Sequence, residues 1–179
     1  ANKLILTDGS ILVLAQKIVS KAEDRFVNLK TIKPTALAIE YSVKTDKDPR
    51  LVELILQESK SVIRHRKGVL VVENHQGLIM ANAGIDHSNV EQDPENDWVL
   101  LLPENPDKSA ASLHNELLRK TGCKIGVIIN DSIGRAWRNG TIGTAIGVAG
   151  LSSIVDLRGR ADLFGNQLRV SEEAIADEL

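Results

Sequence analysis

The run KIGVIINDS, Lys124 to Ser132, constrains the fold more than any other stretch of the chain. Ile125 to Ile129 are apolar or small without a break, so no polar alternation marks a solvent face. A strand of that kind is covered on both faces, which calls for a layered arrangement of sheets and helices. The run then stops at Asn130, Asp131 and Ser132, with Gly134, Arg135 and Arg138 close behind. Two readings follow. One is a strand, a turn and a solvated helix start; the other is a site that handles metal ions and phosphate.

The rest of the chain supplies the other layers. Ser10 to Leu14, behind the turn Asp8-Gly9, predicts a strand. In QKIVSKAEDRFVNL, residues Lys17, Lys21 and Arg25 recur at four-residue spacing, along one side of a helix. Thr35 to Val43 predicts a helix after Pro34. PRLVELILQESKSVI predicts an amphipathic helix, with Leu51, Leu54, Ile55, Val62 and Ile63 on its apolar face. GVLVVENHQGLIMANAG predicts a hairpin about His75-Gln76-Gly77, and WVLLLP a strand stopped by Pro103. Ser109 to Thr121 predicts a helix ended by Gly122, and TIGTAIGVAGLSSIVDLRG a hairpin or a closely packed strand. The fold class is α/β with an α+β layout, in one domain over residues 1–179 without repeat, linker or clean internal boundary.

Composition narrows the function. Lys+Arg 22 against Asp+Glu 24 gives a net charge of -2, so bulk electrostatics forecast no nucleic-acid and no membrane partner. Aromatic residues make up 3%, too few for the stacking platforms of single-strand binders. A lone Cys123 excludes an intrachain disulfide and a cysteine-built zinc site, and fits a reducing cytoplasm, the expected location. No signal peptide and no span of membrane length is apparent. The first residue is not Met and the chain stops within the helical-looking SEEAIADEL, so both ends are expected to be trimmed.

Two stretches carry chemistry. NAGIDHSN and INDSIGR each place an aspartate behind a strong strand, Asp86 with Ser88 and Asn89, Asp131 with Ser132. Magnesium and manganese take oxygen ligands, commonly one or two protein carboxylates completed by phosphates and water. Two such aspartates at one sheet edge would meet that need, with Ser132 adding a hydroxyl; turns built from Asp, Asn and Ser are the plain alternative. Lys17, Lys21, Arg135 and Arg138 could neutralise a polyphosphate, the alternative being a solvated helix face. No Walker A pattern and no glycine fingerprint in strand-turn-helix context occurs. His87 is the one histidine beside a candidate site, no nucleophilic triad is legible, and Trp98 and Trp137 read as packing residues.

SKAEDR at 20–25, NAGIDHSNV at 82–90 and INDSIGRAWRNGTIGTAIGVAG at 129–150 resemble, in order, the signatures of coenzyme F-420-0:L-glutamate ligase. The trailing DLRGRADLFGNQLRVSEEAIADEL fits the same pattern, so the resemblance spans essentially the whole chain. It implies a GTP-dependent gamma-glutamyl ligase of deazaflavin coenzyme biosynthesis. There GTP phosphorylates the terminal carboxylate of a phospholactyl-deazaflavin precursor, and the amine of L-glutamate displaces the phosphate. It also implies Mg2+ or Mn2+ as cofactors, potassium as a helper, mixed sheets with flanking helices, and an intertwined homodimer. By position, Asp86 and Asp131 match the family's catalytic metal-binding aspartates, and Ser132 a hydroxyl metal ligand. Asn89, Lys21 and the pair Gln16-Lys17 match nucleotide-contacting positions. Arg135 and Arg138 are read from their chemistry alone as phosphate or substrate contacts. The family's N-terminal segment, and a Gly-rich acidic C-terminal loop completing a second metal site, are expected outside this stretch. A catalytically incomplete dimeric binding domain of the same fold, or an amide ligase for another carboxylate acceptor, are the alternatives.

Overall fold

The computed structural model describes residues 5–87 and 95–179. In chain order it runs through β1 (Ile11–Ala15), α1 (Gln16–Ala22), β2 (Phe26–Asn28), α2 (Ala36–Thr45) and α3 (Pro49–Gln57). Next come β3 (Ser59–Arg66), β4 (Val69–Asn74), β5 (Ile79–Ala81), β6 (Trp98–Leu100) and α4 (Pro106–Thr121). Then follow β7 (Gly126–Gly134), β8 (Thr141–Ala149), β9 (Val155–Asp156), β10 (Glu172–Glu173) and α5 (Ile175–Glu178). Short sheets interleaved with helices are the α+β layout expected. Two compact units share these elements: Ala1–Gln16, Asn105–Ser132 and Gly143–Leu179 make the first, Lys17–Glu104 and Ile133–Ile142 the second.

In the first unit the continuous apolar run becomes a middle strand. The sheet order is β1-β7-β8, with β1 parallel to β7, Ile11 opposite Gly126 and Ala15 opposite Asn130. Val127, Ile128 and Ile129 are buried to 1% exposure or less, as a strand covered on both faces must be. Parallel neighbours need a long crossover, and here the intervening chain carries most of the second unit. Gly147 lets β8 approach the start of α4, because a Cβ there would collide with the Pro106 carbonyl. Asp107 closes that junction by accepting a hydrogen bond from Val148 N at 2.9 Å. α4 starts at Pro106 under the Asn105 side-chain cap and ends at left-handed Gly122, φ 75°.

In the second unit Ala38 of α2, Val52 and Ile55 of α3, and Leu70 and Val72 of β4 form one buried core with Ala83. A second cluster of Leu29, Leu54, Val99 and Leu101 joins α3 to the chain around the antiparallel pair β2-β6. Each fully buried Leu or Ile in these clusters contributes about 1.5–3 kcal/mol relative to exposure. Buried Glu53 ties the two helices together, accepting from Thr35 N at 2.8 Å and Thr35 Oγ1 at 2.7 Å. Those Thr35 bonds hold its carboxyl below the usual range. The hairpin of β4 and β5 turns as expected about His75-Gln76-Gly77, where Asn74 Oδ1 accepts from Gln76 N and Leu78 N.

Two helices end earlier than their spacing predicts. α1 stops at Ala22, because Asp24 takes φ 54° and turns the chain into β2. Arg25 therefore leaves the helical row of Lys17 and Lys21; it donates to the Leu102 carbonyl at 2.8 Å and pairs with Glu58 at 3.3 Å. α3 stops at Gln57, and Val62 and Ile63 lie in β3 instead. Both residues are β-branched and fit a pleated edge, while their spacing from Leu54 and Ile55 mimics a helical face.

Candidate functional site

The second unit builds Asp86 out of an unusual turn. Asn82, Ala83 and Gly84 have φ of 53°, 54° and 70° in succession. Asn and Gly tolerate this left-handed geometry, but Ala83, buried to 3% exposure, holds strain there. Asn82 steadies the turn by accepting from Leu70 N at 3.3 Å, and a Cβ on Gly84 would lie 2.8 Å from Leu102. The chain then locks onto β6: Asp86 exchanges both backbone hydrogen bonds with Leu100, at 2.9 and 2.8 Å. The half-buried Asp86 carboxylate meets Lys17 Nζ at 2.6 Å. α1 thus brings an expected phosphate-binding cation onto an expected metal-binding carboxylate. Lys21 lies one turn further along the helix and is exposed, while Gln16, which opens it, is buried to 3% exposure. Asn89, with Ser88, lies outside the described residues.

His87 turns to a different partner. Its Nε2 lies 3.0 Å from Asp97 Oδ1, and Asp97 Oδ2 accepts from Arg50 Nη2 at 2.9 Å. Arg50 also holds Asp48, the cap of α3, and its guanidinium keeps the Asp48 carboxyl below the usual range. This chain of Asp48, Arg50, Asp97 and His87 escaped the sequence reading. Asp97 stands 10 residues from His87 and 47 from Arg50 in sequence, and only the Asp48-Pro49 helix start announces one end.

Asp131 is placed differently. β7 runs on to Gly134, so Asn130, Asp131 and Ser132 lie inside the strand and not in a turn beyond it. The expected strand end is thereby corrected: β1 pairs with β7 only as far as Asn130, and β8 is the sheet neighbour left to the strand after the apolar run is over. Asn130 fits because position 143 is glycine; a Cβ there would come within 2.7 Å of Asn130 Nδ2. Asp131 is half-buried and Ser132 exposed. Consecutive residues of a strand project to opposite faces, so these two side chains part company. No helix follows. Residues 135–140 form a loop into β8, with Arg135, Trp137 and Arg138 exposed. Trp137, expected to pack, is 99% exposed at φ 56°, while Trp98 is half-buried in β6 opposite Asn28.

Among the described residues no three of His, Cys, Asp and Glu gather into a metal cage. The oxygen donors available are single carboxylates and a hydroxyl, a set suited to a cation that takes most of its ligands from phosphate and water. No helix among the described residues is long and apolar enough to cross a membrane.

Comparison with known proteins gives the class first. The model of the F420-0:gamma-glutamyl ligase family matches residues 1–179, and the chain belongs to that family. Among its relatives is the coenzyme F420:L-glutamate ligase of Methanocaldococcus jannaschii, 41% identical over 174 residues, which are 97% of this chain and 68% of the relative. The ligase of the same name from Methanothermobacter thermautotrophicus is 45% identical over 174 residues, again 97% and 68%. That of Methanococcus maripaludis is 43% identical over 178 residues, 99% of this chain and 70% of the relative.

Proposed function

We propose that the chain attaches L-glutamate to F420-0 at the expense of GTP, through an acyl phosphate. The observation that carries this reading is the 41–45% identity, over nearly the whole chain, to ligases named for that coenzyme and that amino acid. A carboxylate oxygen of the acceptor attacks the γ-phosphorus of GTP, and the bond to the bridging oxygen breaks to release GDP. The amine of L-glutamate then attacks the acyl carbon. The carbon–oxygen bond to phosphate breaks, inorganic phosphate leaves, and the nitrogen gives up its protons to water. Such transfers depend on positioning and on offsetting charge.

The residues divide that work. Lys17 and Lys21, one turn apart on α1, offset charge on the triphosphate, and Asn89 is assigned a neutral hydrogen bond to the nucleotide. Gln16, buried where α1 begins, orients that helix start toward the nucleotide. Arg135 and Arg138 contact phosphate or substrate oxygens. Asp86 and Asp131 are the carboxylates assigned to magnesium or manganese, each a hard oxygen ligand, and potassium is a further cation. The contact of the Asp86 carboxylate with Lys17 Nζ, at 2.6 Å, supports the fit, since the position already accommodates positive charge. Because Asp131 and Ser132 leave opposite faces of β7, they serve separate cations. Bound there, a divalent ion supplies charge neutralisation to the transferring phosphoryl group.

The test is direct. Protein incubated with the deazaflavin precursor, L-glutamate, GTP and manganese is expected to release GDP and yield a product heavier by one glutamyl group in mass spectrometry. Absence of both products contradicts the proposal.

A further inference from the structure

We infer that Trp137, with Arg135 and Arg138 beside it, is the docking platform for the flat tricyclic ring and phosphate of the deazaflavin acceptor, an inference that rests on the ligase reading above. Large aromatic side chains bury most of their surface, and one left 99% exposed calls for a partner. Trp137 also holds φ 56°, a backbone conformation that bulky residues rarely adopt and that costs conformational energy. Loops that only face solvent have no need of either feature.

The flanks fit one kind of ligand. Neither Arg135 nor Arg138 has an ion pair among the described residues, and the hydrogen bond from Arg135 to the Asn139 carbonyl is stretched to 3.5 Å. No acidic residue occurs from Ile133 to Ile142. An indole face beside two unneutralised guanidinium groups is complementary to a planar aromatic anion: the ring stacks, and the arginines fork onto its oxygens. A purine nucleotide shares that chemistry. The charge favours the acceptor, since two guanidinium groups suit a carboxylate-bearing ligand of low charge, whereas a triphosphate calls for more. The loop belongs to the same compact unit as Lys17, Lys21 and Asp86, to which the nucleotide is assigned.

Steady-state kinetics of the full chain separate the sources. Trp137→Ala is expected to raise KM for the acceptor by about tenfold, the loss typical of one stacking contact, with KM for GTP unchanged. Trp137→Phe, which keeps a ring face, recovers most of that loss, and circular dichroism of both variants matches the native protein. In a Trp98→Phe background the remaining emission reports Trp137 and is quenched by acceptor but not by GDP. An unchanged acceptor KM in Trp137→Ala, or a KM for GTP that rises in step with it, overturns the assignment. A fall in oligomer mass on light scattering, with acceptor KM unmoved, overturns it in favour of a second copy covering the indole. Native protein that neither binds nor modifies the acceptor brings down the ligase reading itself, and this inference with it.

Discussion

Asp86 and Asp131 each follow an apolar strand in sequence, yet their backbones are held in different ways. Asp86 emerges from three left-handed residues and is then clamped to Leu100 by a pair of backbone hydrogen bonds. Asp131 continues an extended strand whose first half is fully buried. The first carboxylate depends on a strained turn that few substitutions can preserve. The second depends on sheet pairing, which tolerates change at the side chain. Similar sequence phrases thus predict different sensitivities to mutation.

Function gives the largest expected effects. Asp131→Asn keeps shape but removes the charge of a proposed metal ligand, and is expected to lower kcat by about 100-fold or more with little change in Tm. Asp86→Asn is expected to lower it comparably and also to lose the ion pair with Lys17. A variant of either that retains native turnover removes that residue from the site.

Stability separates the two backbones more sharply. Gly84→Ala places a methyl against Leu102 at a positive φ, and is expected to cost about 2 kcal/mol in urea unfolding. Gly134, at the end of β7, has nothing within 4 Å of a added Cβ and an ordinary φ. Gly134→Ala should therefore shift stability by less than about 1 kcal/mol. Equal costs at the two glycines would erase the contrast. Ala83→Gly relieves the left-handed strain but gives up a buried methyl and backbone rigidity, so a net change within about 1 kcal/mol is expected.

How much of this was legible depended on how local the cause is. Cap and turn chemistry was readable: Thr35, Pro49, Gly122 and the His75-Gln76-Gly77 turn all stand where short-range rules place them. The doubly covered strand was readable because its pattern has no polar face. The end of α3 was not, since Val62 and Ile63 satisfy a helical spacing and only their tertiary pairing with β4 decides otherwise. Asp86 and Asp131 could be named as candidates from residue type. The contacts around them could not, because Leu100 meets Asp86, Asp97 meets His87 and Gly143 meets Asn130 across gaps in the chain that no local pattern spans. The exposure of Trp137 went unread for the converse reason: a lone tryptophan in sequence carries no mark of which way the loop will turn it.

The smallest expected effect lies in acid titration, where Asp156 and Arg158 of the first unit offer a reference. Arg158, by side-chain hydrogen bonds, holds the Asp156 carboxyl at about 2. A folded-state value below the ordinary 3.8 means that this pair favours the folded state at neutral pH. The contribution fades as pH falls through about 4 and is gone below about 2. NMR of the carboxyl carbon should give that low midpoint, and Arg158→Ala should return it to the ordinary range. An unshifted midpoint in the native protein contradicts the pairing.

The central claim is that the two aspartates, so differently held, both serve a divalent cation. Manganese binding in the presence of GDP, followed by electron paramagnetic resonance in the native protein, Asp86→Asn and Asp131→Asn, tests it most directly. The prediction is tight binding by the native protein and a weakening of about tenfold or more in each variant. Native affinity in both variants would contradict it.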